Sequence, residues 1–124
     1  MDRKALIREY KESQRPMGVY CVRNIVNGKL LVGKSIDLPS ILNRQRGQLR
    51  AGSHPNPTLQ KELSEYGADA FEVEVLDTLE VVDQADNDSS ADLRTLEQMW
   101  LDKLSPFGER GYNPEPKRRE QKQG

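Results

Sequence analysis

The sequence predicts an α+β protein built on a small antiparallel sheet, and three observations predict it. The pair Asn27-Gly28 sits inside "GVYCVRNIVNGKLLVGKS", which reads as strand, tight turn and strand. The run "FEVEVLDTL" alternates charged and apolar side chains, as a third strand with one wet face does. Two helical stretches with start and stop residues separate the hairpin from that strand, and a third follows it. A chain of 124 residues suits one compact domain and not two.

Taken in order, residues 3–13 suit a short helix that ends before Arg15-Pro16. The hairpin follows. In "DLPSILNRQRGQLRAG", Asp37 or Leu38 lies at the cap, Pro39 in the first turn and Gly52 at the end. Leu38, Ile41, Leu42 and Leu49 mark the apolar side of this helix, and Gly47 weakens it by roughly 1 kcal/mol relative to Ala. Asn56 is a good N-cap for the next helix, Pro57 a good first residue and Gly67 a good stop. Its inward residues are Leu59, Leu63 and Tyr66. In the third strand, Phe71, Val73 and Val75 share a face. "DQADNDSSAD" reads as an acidic solvated loop, and "ADLRTLEQMWLDKL" as the last long helix. "FGERGYNPEP" is irregular, and the basic tail beyond it reads as disordered. The expected organisation is an N-terminal helical extension over 1–16, a domain over 17–114 and a tail over 115–124. There is no internal repeat.

Hydrophobic residues make up 35% of the chain and charged residues 31%, the balance of a soluble globule with a modest core. No apolar run is long enough to span a membrane, and "MDRKALIREYKESQRP" lacks a signal-peptide core. Cys21 is the only cysteine, so no intramolecular disulfide can form and a cytoplasmic location is the default expectation. Cys21 itself reads as a small buried hydrophobe in a strand. The net charge of −1 argues against a generally adhesive nucleic-acid binder. Its distribution is uneven. From Tyr20 to Lys61 seven basic residues face one acid, Asp37, for a net +6; from Glu62 to Glu109 the net is −12. This is either a bipolar surface whose basic side faces a polyanion or ordinary variation along a chain.

"GKLLVGKS", Gly28 to Ser35, matches the phosphate-cradling pattern G-x-x-x-x-G-K-[ST]. A phosphate loop must be a loop that opens directly into a helix. Here Lys29 to Val32 is an apolar strand-prone run, and the next helix signal waits until Pro39. The match reads as a decoy, and no ATP is expected.

On the last helix Leu93, Leu96, Trp100 and Leu104 share a face, and Glu97 falls on it too. A carboxylate there either reaches water at the stripe's edge or points into a cleft as a metal ligand. Gly18-Val19-Tyr20, ten residues, then Leu31-Val32-Gly33 resembles the signature of the GIY-YIG nucleases. "GSHPNPTLQKELSEYGADAFEVEVLDTLE" resembles the segment that follows in phage homing endonucleases of this family, and "LEQMWLDKLSPFGERGYN" the glutamate-bearing helix and terminal G-Y-N. The resemblance covers roughly Met17 to Pro114. It implies a three-stranded antiparallel sheet flanked by helices and divalent-metal-dependent cleavage of DNA.

Carried over residue by residue, the resemblance makes Tyr20 the tyrosine of the first motif, Gly33 the glycine of the second and Glu97 the metal-binding glutamate. It makes His54 the histidine of G-x-H and Asn113 the late asparagine. Three positions depart from the pattern. Leu31 stands where the second tyrosine is expected, Ile41 where the helix arginine is, and Gln45 where many members carry histidine. Leu31 cannot move a proton and Ile41 cannot steady an oxyanion. Arg44, one turn from Ile41, and Lys34, just past the second motif, are candidate substitutes; for Arg44 the alternative is an ordinary solvent-facing arginine. Lys34, Arg46, Arg50 and Lys61 are the candidate nucleic-acid contacts of the basic half. Tyr20, His54 and Asn113 each also have a plain structural reading, as packing, turn and loop-holding residues.

Three functions remain open. The first is a GIY-YIG-fold protein that engages DNA with hydrolysis weakened or lost. The second is an active endonuclease using Mg²⁺ or Mn²⁺ and substitute donors. The third is a protein-interaction scaffold. No zinc-finger or helix-turn-helix pattern accompanies the domain, so recognition of a long target is not expected.

Overall fold

The computed structural model describes residues 16–79 and 89–115. The expected N-terminal helix over 3–13, most of the acidic loop and the tail from 116 lie outside these residues. Strand β1 (Met17–Asn24) runs into a turn and returns as β2 (Leu30–Ser35). Helix α1 (Leu38–Ala51) and helix α2 (Pro57–Tyr66) follow. A short 3-10 turn leads into β3 (Phe71–Leu79), and α3 (Ser89–Leu104) precedes an irregular C-terminal segment. The sheet is antiparallel with order β2-β1-β3, so β1 is central. None of the described helices is long and apolar enough to cross a membrane.

The turn forms where Asn27-Gly28 predicts it. Gly28 takes φ +81°, a left-handed conformation that a side chain would strain. Asn24 braces the turn by accepting the Val26 N–H at 2.9 Å. Gly28 to Ser35 is therefore turn and strand, and α1 opens three residues later with Asp37 accepting the Ser40 N–H. The caps of α2 also fall where the sequence puts them: Asn56 accepts the Leu59 N–H at 3.0 Å. Helix α3 begins two residues before the expected Ala91, at Ser89.

The sheet divides the core into two layers. On one face Tyr20, Val22, Phe71 and Tyr112 pack with Leu38 and Leu49 of α1 and Leu59 and Leu63 of α2. On the other, Val19, Cys21 and Val32 pack against Leu96, Trp100, Leu101 and Leu104 of α3. This is the strict alternation of β1 read out on both sides. Burial and the nearby Glu74 push the Cys21 thiol up to about 11, so it behaves as the small hydrophobe expected.

One inward assignment needs correction. Tyr66 is 45% exposed: it shares a face with Glu62 but is the last residue of α2, before the Gly67 cap. Val75 is 40% exposed. It keeps the face it shares with Phe71 and Val73, and a bulge follows it: Tyr20 pairs with Val75 but Val19 pairs with Asp77, leaving Leu76 as the extra residue. Leu76 joins the α3-side core, and Asp77 accepts the Trp100 indole N–H at 3.1 Å.

The outer edge of β2 is closed by the C-terminal segment. The Tyr112 N–H donates to Leu30 O, and the Asn113 side-chain amide both donates to and accepts from the Val32 backbone, at 2.9 and 2.8 Å. One amide group thus imitates a strand partner.

Candidate active site

Tyr20 occupies the middle of the central strand, directly opposite Gly33 in β2. Its ring lies across Gly33 so closely that a Cβ there would stand 2.6 Å from the hydroxyl oxygen. The motif glycine is a steric seat for the motif tyrosine. Tyr20 is only 8% exposed. Burial pushes its phenol above the ordinary value, the Glu97 charge adds to the rise, and the Arg44 charge opposes it.

Glu97 projects from α3 toward the sheet and meets Lys34 of β2, with Nζ 3.4 Å from Oε1. The carboxylate side chain is 21% exposed and the lysine 41%. Glu97 thus stands at the edge of the α3 stripe, part-buried and paired with a cation of the sheet. Arg44 lines a small concavity of about 210 Å³ with Ser35, Asp37, Ser40 and Ile41. Ile41 and Leu31 pack against the α1-side core.

Other expected site residues are held elsewhere. His54 is 7% exposed, with Nε2 2.7 Å from Gln45 Oε1 and Nδ1 accepting the Asn56 N–H. That pattern places the proton on Nε2, and burial lowers the His54 pKa below 6.5. His54 and Gln45, the two histidine-related positions of the resemblance, are thus bonded to each other. Asn113 has its amide engaged on Val32, which matches its plain reading as a holder of the C-terminal segment.

The basic half does not form one patch. Arg23 pairs with Glu74 at 3.0 Å, Lys29 with Glu62 at 2.6 Å and Lys34 with Glu97, so the two charge halves partly close on each other. Arg46 and Arg50 line a groove of about 450 Å³ between α1 and β3, where Asp69, Glu72 and Glu74 also sit. Arg44 lines other concavities, and Lys61 is exposed on α2.

Sequence reasoning missed Glu62. Its carboxylate takes Asn24 Nδ2 at 3.1 Å, Asn27 Nδ2 at 2.8 Å and the Tyr112 hydroxyl at 2.6 Å on one oxygen, and Lys29 on the other. Burial raises this carboxyl, but bonds from Lys29, Tyr112 and Asn27 outweigh it and hold it at about 2. The signal was present: Glu62 lies three residues after Leu59, on the buried stripe of α2.

Among the described residues no group of three or more His, Cys, Asp and Glu side chains forms a ready metal cage. Glu97 fits a different kind of site. A hard cation such as Mg²⁺ often takes one or two carboxylates and completes its shell with water and substrate phosphate. Glu97 supplies one such carboxylate at a partly open surface.

No protein-family model matches the sequence, and no curated protein matches it. Two solved structures match in fold. One is the catalytic domain of homing endonuclease I-TevI, with 26% identity, 81% of this chain and 99% of that chain covered, and TM-score 0.61. The other is a glutamate-to-alanine mutant of the catalytic domain of intron endonuclease I-TevI, with 23% identity, coverage of 79% and 92%, and TM-score 0.61.

The fold is GIY-YIG-like.

Within it the GIY-YIG-like positions divide into two groups. Tyr20 lies over Gly33 on the α1 side of the sheet, where the charges of Glu97 and Arg44 reach its phenol, and Glu97 pairs with Lys34 on the α3 side. His54, Gln45 and Asn113 serve in bonds that hold α1, the loop before α2 and the C-terminal segment.

Proposed function

We propose that the chain is a nuclease-family protein that engages DNA through its phosphates, with phosphodiester hydrolysis weakened or lost. The observation that carries this reading is the packing of Leu31 and Ile41 against the core at the two positions where the resemblance expects a tyrosine and an arginine. Neither can give a proton or neutralise a developing charge. Loss of one charge-stabilising donor typically lowers a rate by about 10²–10³. Tyr20, raised by burial and by Glu97, is less suited to take a proton near neutral pH. Support for DNA as the partner comes from the similarity to a homing endonuclease's catalytic domain and from the cations Arg44 and Lys34 at the site. Glu97 would hold a divalent cation, which when bound supplies positive charge to a phosphate oxygen. The chain's own residues then orient the phosphate (Arg44, Lys34) and bound it on the sheet side (Tyr20).

A second reading, an active enzyme with rearranged donors, is favoured by Arg44. Its charge reaches Tyr20, and it shares a concavity with Ile41, the residue it would replace.

Supercoiled-plasmid nicking in Mg²⁺ or Mn²⁺ separates the two. Wild type, Glu97→Ala, Tyr20→Phe and Arg44→Ala proteins are assayed together, beside a DNA-binding titration at several salt concentrations. The proposal expects background nicking from all four and binding that weakens steeply with salt. Nicking by wild type that Glu97→Ala and Arg44→Ala abolish selects the active enzyme. Binding absent, or indifferent to salt, rejects DNA as the partner.

A further inference from the structure

We propose that Lys34 is an internal cation of the site, competing with a divalent metal for the Glu97 carboxylate. The inference deepens the reading above and rests on it for Glu97 as the metal's holder.

The pairing follows from register. Lys34 lies two residues beyond Val32 on β2, so both side chains leave the sheet on the α3 side. It sits opposite Val19, another α3-side residue. Glu97 is presented to the same place by α3, whose Leu96, Trp100 and Leu101 pack on that face. Strand and helix therefore fix both stems, and the charged ends meet at 3.4 Å. Lys34 is the only ion-pair partner of Glu97 among the described residues.

The exposures give the arrangement its direction. The ammonium is the more open member, 41% against 21% for the carboxylate. A cation arriving from solvent meets a carboxylate that Lys34 already engages at Oε1. Ammonium and metal repel at that distance, so one displaces the other. A half-exposed ion pair is weak, so the competition is mild: removal of the ammonium tightens metal binding about five-fold. By linkage, metal entry frees the Lys34 ammonium for a phosphate, so each ligand favours the other through this residue.

The test is a Mn²⁺ titration without DNA, following the free-ion electron paramagnetic resonance signal. The proteins are wild type, Lys34→Met, Lys34→Arg, Glu97→Gln and the Lys34→Met/Glu97→Gln double variant. Circular dichroism checks the fold of each. Lys34→Met is expected to bind Mn²⁺ about five-fold more tightly than wild type, with Lys34→Arg like wild type and the gain absent from the double variant. Equal affinities in wild type and Lys34→Met, no binding by either, or a gain that survives in the double variant each overturn the proposal. Because DNA is absent, the result is independent of the salt titration above. A protein that fails to bind DNA while showing the Mn²⁺ gain loses the DNA reading and keeps the competition.

Discussion

Replacement of Glu62 by glutamine is expected to remove most of the acid sensitivity that this one residue gives the fold. The carboxyl is held at about 2 in the folded chain, against an ordinary 4.5. A group depressed on folding stabilises the folded state above its unfolded pKa, and that stability fades as pH falls toward the folded value. The difference corresponds to about 3 kcal/mol. It is fully present at pH 7 and is withdrawn between about pH 4.5 and pH 2. Glutamine keeps the shape but loses the charge facing Lys29, and its amide nitrogen cannot accept a bond. The measurement is urea unfolding at pH 7, 5, 4 and 3, followed by fluorescence of Trp100, the single tryptophan. Wild type should exceed Glu62→Gln by about 3 kcal/mol at pH 7, with the gap narrowing steadily as acid is added. A gap of constant size between pH 5 and pH 3 would refute the reasoning, since it would mean that the carboxyl titrates alike in both states.

Two further outcomes follow from contacts in the site. Gly33→Ala drives a methyl into the Tyr20 ring, so unfolding measurements should show a loss of about 1–3 kcal/mol and the near-ultraviolet tyrosine signal should change. Gly47→Ala, with open space around its Cβ, serves as the control and should not destabilise. For His54, imidazole ¹⁵N shifts should report the Nε2-protonated neutral form down to a pH below 6.5. Its lowered pKa makes it a group that stabilises above pH 6.5 and less so below, and a His54 that titrates at or above that value would contradict its burial.

Local chemistry made the elements legible. Asn27-Gly28, Asn56-Pro57 and Gly52 each act within a few residues of where they stand, so turn and caps fall as read. The α1 and α3 stripes are likewise periodic and local. What escaped depends on partners far along the chain. Tyr66 and Glu62 share a face of α2, and hydrophobicity alone did not show that the carboxylate is buried while the tyrosine at the helix end is exposed. The hairpin asparagines, Lys29 and Tyr112 supply the bonds that make a buried carboxylate tolerable. The bulge at Leu76 left no mark in the alternation of "FEVEVLDTL". The placement of Tyr20 and Gly33 on paired strands and of Glu97 on the last helix was legible from motif order. The bond between His54 and Gln45 was not, because it joins positions on two segments whose approach is set by packing. The charge split also misled in part, since three of its cations face acids from the opposite half.

The closure of β2 by residues 111–113 also bears on how this protein is made. Translation delivers the hairpin first, yet its outer edge and the carboxylate beneath its turn wait for groups 81 and 50 positions downstream of Val32 and Glu62. Until Tyr112 and Asn113 leave the ribosome, the nascent hairpin offers an unsheathed strand to any extended chain nearby. Emergence of residues 111–113 therefore closes that edge of the growing sheet.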